Sequence, residues 1–136
     1  MRIFLQSDDE TKDLFKELEF LTNSAEITLS YLNIDEINKK IVIPLVRKNY
    51  RRKKGFLRGS YKLSSSKLIK SELIVKNILD YEINDNLNLK SIDILFGVNI
   101  SNKEIYLSSV EERSGVTAFD LSIKVSSYDL ELIDKE

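Results

Sequence analysis

The chain has no cysteine, no histidine and no tryptophan, one proline and four glycines in 136 residues. Without cysteine there are no disulfides, thiolate metal sites or cysteine nucleophiles. Without histidine, no side chain titrates near neutral pH unless its surroundings shift it far. Histidine-based triads, histidine-ligated zinc and the commonest general base are excluded together. Chemistry on carboxylate, lysine, serine or tyrosine alone remains, and that scarcity favours a binding protein over an enzyme. No cofactor is expected. No stretch approaches the roughly 20 apolar residues of a membrane span. Arg2 is followed by three apolar residues and then by Gln6-Ser7-Asp8-Asp9-Glu10, which is no secretory signal. The expectation is a cytoplasmic protein without a membrane partner.

What the chain does have is segregated charge. Its net charge is only -1, yet residues 1–38 hold 3 basic and 9 acidic side chains. Residues 39–76 hold 13 basic side chains and one acid, Glu72, and residues 77–136 hold 5 against 12. A segment at +12 thus lies between flanks at -6 and -7. Electrostatics either hold the fold together or present one positive face outward.

Length and a hydrophobic content of 42% fit one domain over residues 1–136 with a genuine core. Ser7 with Glu10 three residues later forms a capping box, and Leu14, Phe15, Leu18 and Leu21 follow at helical spacing. They predict a helix over about 8–21, stopped at Thr22-Asn23-Ser24. From residue 25 to 133 the period is two. Ile27, Leu29 and Tyr31 alternate; Asn33 to Lys39 reads as a polar turn; Ile41-Val42-Ile43-Pro44-Leu45-Val46 is a dense strand whose proline suggests an edge or a bulge. Leu73, Val75, Asn77, Leu79, Tyr81 and Ile83 form one alternating series. Ile92 to Val98, Ile105 to Leu107, Phe119 to Val125, and Leu130 with Leu132 supply the rest. Six to eight short strands predict a mainly β fold, an antiparallel sandwich or barrel with one N-terminal helix.

The candidate site is the basic hairpin over about 47–62. It interleaves Tyr50, Phe56 and Tyr61 with Arg47, Lys48, Arg51, Arg52, Lys53, Lys54 and Arg58. Gly55 suits the positive-φ position of its turn, and Ser64-Ser65-Ser66 reads as a short connector. Lysine and arginine neutralise phosphates and aromatic faces stack unpaired bases, so the composition suits single-stranded nucleic acid. It equally suits an acidic protein partner, self-association with the acidic flanks, or a solvated hairpin whose lysines guard its edges. No nucleic-acid motif accompanies it.

Other constellations are weaker. Asn84-Asp85-Asn86-Leu87-Asn88 alternates oxygen ligands but lacks the glycine and distal glutamate of a calcium loop, and reads as a turn. Asp80, Glu82 and Asp85, or Glu111 with Glu112, read as solvent-facing strand positions rather than an acid–base pair. No metal site is expected. Serines near Lys62 or Lys67 lack the motif of a Ser–Lys dyad.

Residues Leu73-Ile74-Val75-Lys76-Asn77-Ile78-Leu79-Asp80-Tyr81-Glu82-Ile83, and then Leu121-Ser122-Ile123-Lys124-Val125-Ser126-Ser127-Tyr128-Asp129-Leu130-Glu131-Leu132, resemble a family of small bacterial all-β proteins. Leu18-Glu19-Phe20-Leu21 followed by Ala25-Glu26-Ile27 is similar to theirs, although Asn23-Ser24 stands where a His-Asp is expected. The resemblance implies the fold and no catalytic residue. The combined expectation is a non-enzymatic domain acting by protein–protein contact through the basic hairpin, as immunity or antitoxin proteins do. Single-stranded nucleic-acid binding through the same hairpin is the alternative.

Overall fold

In a computed structural model of the chain, the described residues are 2–7, 12–52, 61–85, 87–94, 97–110 and 117–135. They form eleven strands and one α-helix. In order these are β1 (Arg2–Ser7), α1 (Lys12–Leu21), β2 (Ala25–Thr28), β3 (Asn33–Asp35), β4 (Lys40–Arg52), β5 (Tyr61–Val75), β6 (Ile78–Asp85), β7 (Ser91–Ile94), β8 (Asn99–Ser101), β9 (Glu104–Val110), β10 (Thr117–Val125) and β11 (Tyr128–Asp134). Seven strands make one sheet, in the order β1-β11-β5-β4-β2-β7 with β3 also on β4. Four make the other, β6-β10-β9-β8, and every pairing is antiparallel. This is the expected mainly β architecture in its open, two-sheet form rather than a closed barrel. The strand count exceeds the six to eight expected because three-residue strands such as β3 and β8 carry too little alternation to be read.

The core lies between the sheets. Ile41, Ile43 and Leu45 of β4, Leu73 and Val75 of β5, and Leu130 and Leu132 of β11 face Ile105 and Leu107 of β9 and Leu121, Ile123 and Val125 of β10 in one buried cluster. Each such side chain removed from water contributes about 1.5–3 kcal/mol. Ala118 and Phe119 are buried in succession because a bulge between Thr117 and Phe119 interrupts the alternation of β10.

Four connections carry the chain between the sheets, and two of them sit side by side. β5 passes to β6 through Lys76 and Asn77, where Asn77 takes φ of 57°, a left-handed conformation that asparagine tolerates. β10 passes to β11 through Ser126 and Ser127. Ser126 N–H donates to the Asn77 carbonyl at 3.0 Å, and Asn77 Nδ2 donates to Ser127 Oγ at 2.9 Å. The series from Leu73 to Ile83, expected as one strand, is therefore two strands in different sheets. Leu29 to Tyr31, expected as strand, is instead a short 3-10 turn.

Pro44 lies within β4 and not at its end. β3 pairs with β4 at residues 40–42 and β2 only at Val46, so Pro44 falls in the gap between them. Its missing donor costs no ladder bond on that side. Helix α1 closes one part of the sandwich by touching β4 of one sheet and β8 of the other. Phe15, Leu18 and Leu21 are its buried face, and the Phe15 ring meets Tyr128 edge-on at 5.1 Å between centroids. Thr22 Oγ1 donates to the Leu18 carbonyl at 2.6 Å and accepts the Val98 N–H at 3.0 Å, fastening the helix end to the segment before β8.

Gly97 makes that approach possible. Its φ is +73°, and a Cβ there would collide with the Glu19 carbonyl oxygen and lie 2.9 Å from Thr22 Oγ1. Both obstacles belong to the helix end, so the backbone would have to move. Gly97→Ala is expected to cost at least about 2 kcal/mol. Urea unfolding followed by circular dichroism checks this, as a lowered midpoint at unchanged slope.

Candidate functional site

Strands β4 and β5 form the longest ladder in the molecule, from Ile41↔Val75 to Arg52↔Tyr61. Their neighbours do not follow them to its end. β11 pairs with β5 no further than Asp134↔Ser71, and β2 pairs with β4 at Val46. From Lys48↔Leu68 to Arg52↔Tyr61 the two strands pair only with each other among the described residues. The result is a two-stranded ribbon about 15 Å long on the β4 side at ~3.3 Å per residue. Residues 48–68 hold eight basic side chains and no acid, which leaves the remainder of the chain, from a total of -1, at -9.

The ribbon is not a straight extension. Between Lys48 and Tyr50 the pairing partner moves from Leu68 to Ser65 and then to Leu63, so β5 holds extra residues there. Ser64-Ser65-Ser66, expected as a connector, lies inside β5 at this irregularity. Such bulges raise local twist and re-aim the strands beyond them.

Arg47 apart, the sequence-predicted residues divide into three groups. Lys48 is exposed on the ribbon, beside Leu68 at 60% exposure. Tyr50, Arg51, Arg52 and Tyr61 are placed in the ladder by backbone pairing, opposite Leu63, Lys62, Tyr61 and Arg52. Lys53, Lys54, Phe56 and Arg58, with the expected turn at Gly55, lie outside the described residues.

Arg47 is a correction. Expected as part of a binding surface, it is only 2% exposed. It follows Ile41, Ile43 and Leu45 on the inward face of β4, and alternation carries it into the interior. Its Nε and Nη2 donate to Asp134 Oδ1 and Oδ2 at 3.0 and 2.7 Å, a bidentate pair, and Nη1 donates to the Lys48 carbonyl. Ser71 Oγ donates to Asp134 Oδ1 at 2.6 Å and lies 3.2 Å from Arg47 Nε. Three strands are thus tied where the inward face ends and the ribbon begins. Burial pushes the Asp134 carboxyl up, but hydrogen bonds from Arg47 and Ser71 and the guanidinium charge outweigh it and hold the group below its ordinary 3.8.

Sequence reasoning missed this latch because Asp134 is 87 residues from Arg47. An available signal was the position of Arg47, in step with three inward apolar residues. Sequence reading placed Asp80, Glu82 and Asp85 at solvent-facing strand positions but missed the exposed apolar residues beside them on β6. Leu79 and Ile83 are 67% and 38% exposed at the edge of the smaller sheet, alongside Asp80, Glu82 and Asp85. Tyr81 Oη donates to Glu36 Oε1 at 2.9 Å, and that bond, with desolvation and the nearby carboxylates, raises the phenol above its ordinary value. A cavity of about 250 Å³ opens there, between the turn after β3 and the start of β6, lined by Ile34, Glu36, Lys39, Ile78, Leu79 and Tyr81 among others.

No family model, curated protein or solved structure matches the chain. The geometry itself therefore carries the functional reading.

Asp134→Asn removes the charge facing a buried guanidinium and is expected to cost about 3 kcal/mol, whereas Arg47→Met with Asp134→Leu should recover most of that loss. The Asp134 contribution is complete above the unfolded value of 3.8 and declines as pH falls below it. It is gone once pH has passed the lower folded value. Acid unfolding of wild type and Asp134→Asn, compared across that window, should show the stability gap closing as pH drops.

Proposed function

We propose that this chain is a non-enzymatic recognition domain that engages an acidic protein surface through the basic ribbon. The carrying observation is the ribbon itself: two strands without a flanking strand among the described residues, in a segment with eight basic residues and no acid, on a chain whose remainder has the opposite net charge. A lone two-stranded hairpin is marginal in water, so the sandwich acts as its anchor, and the Arg47–Asp134–Ser71 latch fixes its root. Withdrawal of Arg47 into that latch separates structural charge from recognition charge. Complementary charge of this kind raises association rate and suppresses wrong partners more than it adds affinity. Immunity and antitoxin proteins use acidic and basic faces in this way, and the reading as a cap on an acidic surface is the same physical idea.

A second reading is single-stranded nucleic-acid binding, favoured by Tyr50, Phe56 and Tyr61 interleaved with the basic residues. The rest of the chain, at -9, repels phosphates, so such binding would be confined to the ribbon. The two readings separate by salt response and by probe.

The test is a ribbon variant in which Arg51, Arg52, Lys53 and Lys54 are replaced by serine. Protein recognition is expected to appear as host proteins captured by the wild type at low salt and lost with the variant; identical captures would remove the ribbon from the reading. Fluorescence anisotropy of labelled mixed-sequence RNA and DNA single strands should show no tight binding at physiological salt. Micromolar binding that falls steeply with salt, and is abolished in the variant, would move nucleic acid to first place.

A further inference from the structure

Leu79, Tyr81 and Ile83 alternate as a buried strand face should, yet Leu79 is 67% exposed and Ile83 38% exposed. Two features account for this. β6 is the edge of the four-stranded sheet, where among the described residues only β10 pairs with it, and the register with β10 skips Leu79, between Asp80↔Lys124 and Ile78↔Val125. Its first residue is tied to the larger sheet, where Ile78 N–H donates to the Lys39 carbonyl at 3.1 Å. Residues 79–85 then run as an edge with no proline and no basic residue, so two of the usual guards against strand addition are missing. Ile37, 92% exposed, sits in the turn that holds Ile78 and Tyr81, and Leu87, 50% exposed, follows the strand. One outward donor is covered locally: Tyr81 N–H donates to Asp80 Oδ1 at 2.8 Å, a bond an incoming strand would replace.

The charge on this edge selects its occupant. Asp80, Glu82 and Asp85 are exposed, and pairing β6 with β6 of another molecule would set like charges against each other. A suitable strand is extended, basic, interspersed with apolar residues, and lacks a second strand neighbour. The ribbon of this same chain fits. In the ladder its strands pair only with each other among the described residues, and its charge, read from the sequence, is opposite to that of β6.

We propose that residues 79–85 of β6 form a strand-addition site for the basic ribbon of a second copy of this chain. The inference rests on reading the ribbon as a recognition element and names its partner. Main-chain hydrogen bonds supply affinity, and alternating acidic and apolar positions supply register. The two contacting surfaces differ, so the contact is heterologous: reciprocal use closes a dimer, and one-way use extends a chain of molecules.

The experiment uses the full chain and two variants, an edge variant (Leu79→Lys with Glu82→Lys) and the ribbon variant with Arg51, Arg52, Lys53 and Lys54 changed to serine. Sedimentation velocity is run on each alone and on an equimolar mixture, at about 0.02 M and about 0.5 M salt, which spans long to short screening lengths. Wild type should associate at low salt and fall towards monomer mass at high salt. Each variant alone should be monomeric, with the circular dichroism of the parent. The mixture should regain a dimer at low salt, because the edge variant retains an intact ribbon and the ribbon variant an intact edge. Wild type that is monomeric at low salt overturns the proposal, as does a mixture that stays monomeric or a variant that associates like wild type. None of those results removes the ribbon from recognition of another acidic protein; only identical captures by wild type and ribbon variant would do so.

Discussion

The latch between Arg47, Ser71 and Asp134 determines where the sandwich stops. Each residue sits at an inward position of its strand, at the end of a run of apolar side chains on β4, β5 and β11. A guanidinium 2% exposed is tolerable only with its hydrogen bonds made, and the geometry supplies both carboxylate oxygens, a hydroxyl and a carbonyl. A slip of one residue in any of the three strands would turn a partner to the opposite face. The latch therefore sets register as much as stability, and everything past it on β4 and β5 leaves the body as ribbon.

This arrangement divides the basic segment between two uses. One arginine is consumed inside the fold, neutralised by Asp134, while Lys48 is exposed and residues 48–68 of the sequence hold eight basic residues. The acidic flanks of the sequence do not run beside the ribbon as paired strands among the described residues. By sequence, positive charge gathers on the segment that carries the ribbon and negative charge on the rest of the chain, the distribution on which the proposed association between molecules draws. The exposed edge of β6 carries both the acids and the apolar residues that such association can use.

Local signals were good guides wherever period and environment coincided. The alternation of Ile41, Ile43 and Leu45, or of Leu121, Ile123 and Val125, identified core strands because both faces of the pattern meet the environments they imply. The series through Leu73, Val75, Leu79 and Ile83 misled because a single left-handed residue, Asn77, moves the chain to another sheet without breaking the run of apolar residues. Ser64 to Ser66 misled in the other direction, since a polar run can belong to a strand, and the pairing of β4 with β5 is irregular there. Of the candidate site, the basic hairpin was legible as composition and position, but not its length, its bend, or its root.

The sequence by itself determined the class of fold, the helix near the N-terminus, the lack of cysteine and histidine chemistry, and the concentration of positive charge in one segment. These depend on residue type and short-range period, which tertiary contacts do not alter. Only the tertiary structure decided that Arg47 is interior, that Asp134 neutralises it, that β4 and β5 outrun their neighbours, and that β6 is an edge. Each is a matter of which distant segment comes to lie beside which, and strand order has no signature in local period. A basic residue reads the same in sequence whether its neighbour in space is water or a carboxylate 87 positions away.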